Sequence, residues 1–114
     1  MEGGIASSAF IASNPAPEVQ NFVAKYKQNF GMEPEDHAAH YYDAVKVLGQ
    51  IMAKTGPDRD KILAELHALK GYKGVQGDYT ADKWGNLIHR ASLAKYSNGQ
   101  WVWIADAENL TDSD

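Results

Sequence analysis

Cysteine is absent from all 114 residues, which excludes disulfides, thiolate metal sites and cysteine nucleophiles. Long apolar runs are missing too: nothing approaches the roughly 18 consecutive apolar residues that a membrane helix needs. Basic residues form no run longer than two, and 11 Lys and Arg against 15 Asp and Glu leave a net charge of -4. Phosphate backbones reward clustered Lys and Arg, so nucleic acid is not an expected partner. Met1 to Ala12 is small and apolar but has no Lys or Arg ahead of it. A secretory signal needs that positive start, so this stretch does not read as one. No internal repeat and no low-complexity segment occurs.

What is present suits one globular domain: 44% hydrophobic and 23% charged residues, with apolar positions regularly spaced. Gly4 to Ala12 reads as extended and partly buried. Asn14-Pro15-Ala16-Pro17 breaks it and prepares a helix start, since proline is tolerated in a first turn. From Glu18 to Phe30, Val19, Phe22, Val23, Tyr26 and Phe30 recur at helical spacing, and Gly31 stops the helix. Glu33-Pro34-Glu35-Asp36 opens a second helix running to about Lys54, its acids placed against the positive end of the dipole. That helix is apolar around much of its girth, from Ala38 and Tyr41 to Ile51 and Met52, which predicts contact on more than one side. Gly56-Pro57 ends it. Asp58 caps a third helix lined by Ile62, Leu63, Leu66 and Leu69, closed by Gly71.

The period then changes. Tyr72 to Thr80 holds Gly74 and Gly77 among strand residues, a pattern of close backbone approach or a bulge. Asp82 to Asn86 reads as a turn. Leu87 to Tyr96 and Trp101 to Ala105 read as two strands joined through Ser97-Asn98-Gly99-Gln100, where Asn-Gly favours a type I′ hairpin turn. Beyond Asp106 the chain is acidic and polar, and residues 107–114 are expected to be a flexible tail.

The order of these signals is similar to a known family. Phe22-Val23-x-x-Tyr26-x-x-x-Phe30-Gly31-x-x-Pro34, followed by Ala39-x-x-Tyr42-Asp43-Ala44-Val45-x-x-Leu48, resembles the type I periplasmic solute-binding proteins of the leucine/isoleucine/valine kind. Gly74-x-x-Gly77 and Asp82-x-x-Gly85-Asn86 resemble that family's Gly-x-x-Gly and Asp-x-x-Gly-Asp region, with Asn86 in place of the usual second Asp. The resemblance covers Glu2 to about Ile104 and implies a partial α/β, Rossmann-like fold, three helices followed by a small sheet with a C-terminal β-hairpin. Residues 1–106 would correspond to the family fold from its last crossover to its end, the helices in one lobe and the closing hairpin in the other. The intact parent would be a periplasmic receptor that binds an amino acid or similar small carboxylate without chemistry and docks on a membrane permease. No cofactor, metal or catalytic residue is implied.

The resemblance places Tyr42 toward the ligand, where its ring would pack a solute side chain and its hydroxyl orient a polar group; a core tyrosine on a wide apolar helix is the plainer reading. Tyr41 is its neighbour. Ser7 and Ser8, with Phe10, would lie near the mouth of the cleft, where a serine can hydrogen-bond a carboxylate or simply satisfy backbone groups. His37, His40 and Asp43 stand at i, i+3 and i+6, but zinc helices usually offer histidines at i and i+4, and solvated partners of Glu35 and Asp36 are the simpler account. Trp101 and Trp103 alternate with Val102 and Ile104, either a stacking platform or core. The apolar girth of the second helix also predicts a homodimer, with the hairpin Leu87 to Ala105 open to exchange between subunits; the alternative to a receptor segment is a stand-alone dimeric interaction module derived from the same scaffold, which would be cytoplasmic.

Overall fold

The computed structural model describes residues 1–107, so the tail expected at residues 107–114 lies outside the described residues from position 108 onward. Helix α1 spans Pro17–Phe30, α2 Asp36–Thr55 and α3 Arg59–His67. Strand β1 spans Ile5–Ser8, β2 Tyr72–Gly74, β3 Gly77–Ala81, β4 Leu87–Ile88, β5 Ser92–Ser97 and β6 Gln100–Asp106. All pairings are antiparallel, in two three-stranded sheets ordered β1-β5-β6 and β2-β3-β4.

Local chemistry sets each boundary. Pro17 stands in the first turn of α1, and Asn14 Oδ1 accepts the Ala16 N–H at 3.0 Å just before it. Gly31, at φ 68°, ends α1 in a left-handed cap whose N–H bonds Lys27 O at 2.8 Å. Asp58 caps α3 by accepting the Lys61 N–H at 3.1 Å, the usual work of an N-cap carboxylate. Asn98 at φ 51° and Gly99 at φ 80° make the β5–β6 turn with both central residues left-handed, as a type I′ turn requires.

The core gathers Phe10, Val19, Phe22, Val23, Ala39 and Val75, from the segment after β1, α1, α2 and the β2–β3 turn. Phe22 is its hub, edge-on to Phe10 at 5.7 Å and tilted against Tyr42 at 4.6 Å between ring centroids. The β1-β5-β6 sheet extends away from this core. The molecule measures 49 × 40 × 19 Å with a radius of gyration of 15.7 Å, against about 13 Å for a compact domain of some 100 residues. It is a flat, open body.

One expectation changes. Leu87 to Tyr96 is not a single strand, because the chain leaves one sheet at Ile88 and joins the other at Ser92. Arg90, in the link, lies across Gly77, where an added Cβ would come within 2.9 Å of Arg90 Cγ. Its Nε sits 3.0 Å from Asp106 Oδ2, close in distance although the N–H is not aligned for a hydrogen bond. The turn at Asp82 is tied by its own side chains: Asp82 Oδ1 accepts the N–H groups of Trp84 and Asn86, and Asn86 Nδ2 donates to Asp82 Oδ2 at 2.9 Å. That donation, first among several hydrogen bonds, holds the Asp82 carboxyl below the usual range. An Asp at position 86 could not donate it while ionised, so the Asn suits this turn.

Candidate functional site

An open cleft of about 1010 Å³ lies between three segments of the chain. One side is the segment Ser8 to Ser13, another is the α1–α2 link and first turn of α2 from Glu33 to His37, and the β5–β6 turn closes the far end with Gln100 and Trp101. The elements that build it are therefore far apart in sequence and brought together by the β1–β5 pairing and the Phe10–Phe22 core contact.

Ser8 is the best-positioned polar group. Its Oγ lies 2.7 Å from Asp36 Oδ2 and 3.0 Å from the Phe10 carbonyl, and accepts the Phe10 N–H at 3.3 Å. The serine thus bridges the end of β1 to the first turn of α2. Asp36 and His37 are exposed, and Glu33 is paired with Lys27 at 3.3 Å. The indole of Trp101 packs edge-on to Tyr96 at 5.2 Å and is 42% exposed. Donors, acceptors and one aromatic face line the cleft, which equips it to hold a small polar-apolar molecule.

The residues singled out from sequence divide between places. Ser8 lines the cleft, whereas Ser7 is exposed on β1, paired opposite Leu93. Tyr41 is 69% exposed on the outer side of α2. Tyr42 does not line this cleft. It is half-buried on Phe22, with Lys46 Nζ 5.9 Å from its ring centroid, beside a smaller hollow of about 200 Å³ shared with Lys25, Tyr72 and Lys73. Asp36 and His37 were not expected as wall residues, and Trp101 only as half of a stacking pair. The Asn98-Gly99 turn delivers Trp101 to the rim. Trp101 and Trp103 stand at alternate positions of β6, opposite Tyr96 and Ala94; Trp103 is partly buried, its backbone N–H bonds Ser13 Oγ at 2.8 Å and its Nε1 donates to Asp106 at 3.0 Å.

Asp43 has a role that spacing concealed. It is 2% exposed and accepts the N–H groups of Val75 and Gln76 at 2.9 and 3.0 Å and the Tyr79 hydroxyl at 2.8 Å. A buried carboxylate with three donors is a strong fastening, here of the β2–β3 turn onto α2. Gly74 belongs to it, because a Cβ there would meet Asp43 Oδ2 at 2.6 Å. His40 Nδ1 approaches Gln76 Oε1 at 3.3 Å, which adds His40 to the same fastening. Burial, and then the hydrogen bond to Asp43, push the Tyr79 hydroxyl well above its ordinary 10.0; burial, Asp43 and Tyr42 push Tyr72 upward in the same way. Among the described residues, no group of three or more His, Asp or Glu could hold a metal ion, and no helix is long and apolar enough to cross a membrane.

Comparison with known proteins identifies the scaffold. No curated protein sequence matches this one closely enough to count as a relative. Among solved structures, a leucine binding protein from Thermotoga maritima is 28% identical with a TM-score of 0.78, over 94% of this chain and 31% of that one. An ABC transporter substrate-binding protein from Desulfitobacterium hafniense, in complex with Leu, is 30% identical with a TM-score of 0.79, over 90% of this chain and 31% of that one. A solute binding protein from Rhodopseudomonas palustris, in complex with 3,4-dihydroxy benzoic acid, shares the fold with a TM-score of 0.82 at 22% identity, over 98% of this chain and 32% of that one. The chain therefore spans about a third of the length of the proteins it matches. The sequence pattern of the periplasmic binding protein family matches residues 1–100, so the chain belongs to that family, as a partial type I binding fold.

Proposed function

We propose that this chain supplies one wall of a solute cleft in a periplasmic receptor of an ABC transporter, and that the solute is an amino acid or a small aromatic carboxylate bound without chemical change. The observation that carries the reading is the open cleft between Ser8, the first turn of α2 and Trp101, in a chain that matches the family over residues 1–100. Ser8 and His37 offer hydrogen bonds and Trp101 an aromatic face. The opposing wall lies in the two thirds of the fold that this chain does not span. Buried contact on one side only makes a weak site. The reading carries with it a periplasmic location and delivery of the solute to a membrane permease. Tyr42, with Tyr41 beside it, keeps a second place: its hollow with Lys25, Lys46 and Lys73 could receive a carboxylate instead.

Tryptophan fluorescence tests the reading. Leucine or 4-hydroxybenzoate added to this chain should give a saturable change with a dissociation constant no tighter than about 1 mM, near -4 kcal/mol. The change should disappear in Trp101→Phe and persist in Tyr42→Phe. Loss in Tyr42→Phe with Trp101 insensitive would move the solute to the smaller hollow.

A further inference from the structure

The chain passes between the β1-β5-β6 sheet and the rest of the molecule twice, through the segment after β1 and through His89 to Ala91, and no described strand of one sheet pairs with the other. Side chains from both passages meet at one carboxylate, that of Asp106 at the end of β6. Its own sheet holds it: Ser92 Oγ donates to Oδ1 at 2.6 Å, and Trp103 Nε1 donates to the same oxygen at 3.0 Å. What it reaches belongs to the other part. Arg90 Nε stands 3.0 Å from Oδ2, and the Arg90 side chain lies against Gly77 at the start of β3. Asn14 Nδ2 approaches Oδ1 at 3.5 Å, and the buried Asn14 is tied to α1 through its own carbonyl, which accepts from Gln20 Nε2 at 2.6 Å. Beside it, Ser13 Oγ accepts the Trp103 backbone N–H at 2.8 Å. Arg90 and Asp106 are half-buried, where salt screens a charge pair less than at an open surface.

We propose that Asp106 is a positioning residue: it fixes the angle at which β1-β5-β6 stands against the helices, and through that angle the opening of the cleft. The latch follows from the contacts just described; its consequence for a bound solute rests on the reading under Proposed function. Each part carries one wall of the cleft, the sheet with Gln100 and Trp101 and the α1–α2 link and first turn of α2 with Glu33 to His37. Trp101 lies five residues along β6 from Asp106. At the rise of an antiparallel strand that is about 17 Å, so a rotation of about 10° at the latch would carry the indole roughly 3 Å. Ser8 and Asp36 also meet across the two parts at 2.7 Å, but that contact is exposed and water competes for it. Asp106 joins the parts with its carboxylate held on one side and a guanidinium and an amide gripped on the other.

Residual dipolar couplings of the isotopically labelled full chain, measured without ligand in a dilute aligning medium, test the latch. In the wild type, the amides of α1 and α2 and those of β5 and β6 should fit one alignment tensor. In Asp106→Ala each group should still fit a tensor of its own, and the two tensors should differ. Should Asp106→Ala lose β6, Arg90→Ala takes its place with the same expectation, since it leaves the Ser92 and Trp103 hydrogen bonds to Asp106 intact. A wild type that already needs two tensors would overturn the proposal. So would one common tensor in Asp106→Ala, or in Arg90→Ala where Asp106→Ala loses β6. Leucine added to the variant with separated tensors should no longer give the saturable fluorescence change expected of the wild type. Separated tensors with that leucine response intact support the latch and overturn the placement of the solute between the two parts.

Discussion

Helices α1 and α2 follow each other in the chain but distribute charge in opposite senses. On α1, Val19, Phe22 and Val23 face the core, while Glu18, Gln20, Asn21, Lys25 and Gln28 face water. On α2 the charged residues crowd the inner half, and one of them, Asp43, is buried and fully engaged. The outward half carries Tyr41, Val45, Leu48 and Met52, with His37 and Thr55 at its two ends. The first helix leaves Phe30 open at its end, and the second leaves Tyr41, Val45, Leu48 and Met52 open along its length. The difference is between a helix that buries one clear apolar face and a helix whose exposed apolar side chains run along most of its length.

The comparison breaks most visibly at Phe22. Removing its ring by Phe22→Ala should cost about 3–5 kcal/mol, because it touches Phe10, Tyr26 and Tyr42 at once. Thermal or urea unfolding followed by circular dichroism checks this, and a loss under about 1 kcal/mol would mean that the core is not where we place it. Asp43→Ala comes next, at about 3 kcal/mol, since it strands two buried backbone N–H groups, while the Tyr79 hydroxyl keeps Gln76 Oε1 at 2.7 Å. Hydrogen exchange at Val75 and Gln76 should accelerate in that variant more than exchange in α1.

The helices and the β5–β6 hairpin were legible in sequence because their signals are local: Pro17, Gly31, Asp58 and Asn98-Gly99 each act within a turn. The break at His89 to Ala91 was not legible, because no glycine, proline or turn pair marks it and the switch of sheet is fixed by Arg90 meeting Gly77 and Asp106 at long range. Asp43 was misplaced for the same reason. Its spacing to His37 and His40 suggested a shared ligand, while its partners lie more than 30 residues downstream. Gly74 and Gly77, read as close approaches, are so, and Asp43 and Arg90 are what approaches them. At the cleft, Ser8 was found from its segment; the wall from Glu33 to His37 was not, because polar residues in a first helical turn look the same whether they face water or a ligand.

Smaller effects sharpen the contrast through pH. The Tyr79 pKa is raised, so its contribution is complete below the ordinary 10.0 and is lost as pH rises beyond it. Stability should therefore fall above pH 10, and Tyr79→Phe should remove part of that fall. Asp106 is pulled the other way. Burial raises its pKa, but hydrogen bonds from Ser92 and Trp103, with the charge of Arg90, outweigh burial and leave it lowered. Its contribution is present above the ordinary 3.8 and is lost as pH falls through the lower folded value. Asp106→Asn should flatten the acid limb of the stability profile; an unchanged limb would detach Asp106 from the β5–β6 sheet energetically. The least effect is expected at Val45→Lys in the isolated chain, within about 0.5 kcal/mol, whereas Val47→Lys, two residues away and buried, should prevent folding.

The solute cleft is the central claim, and chemical-shift mapping of the isotopically labelled chain tests it most directly. With leucine or 4-hydroxybenzoate titrated far above 1 mM, roughly to the solubility limit, the amides of Ser8, Phe10, His37, Gln100 and Trp101 should shift together along one saturable curve, with those of α3 and the β2–β3 turn unmoved. Shifts centred on Tyr42, Tyr72 and Lys73, or none at any residue over that whole range, would contradict the placement of the solute between β1, α2 and the β5–β6 turn.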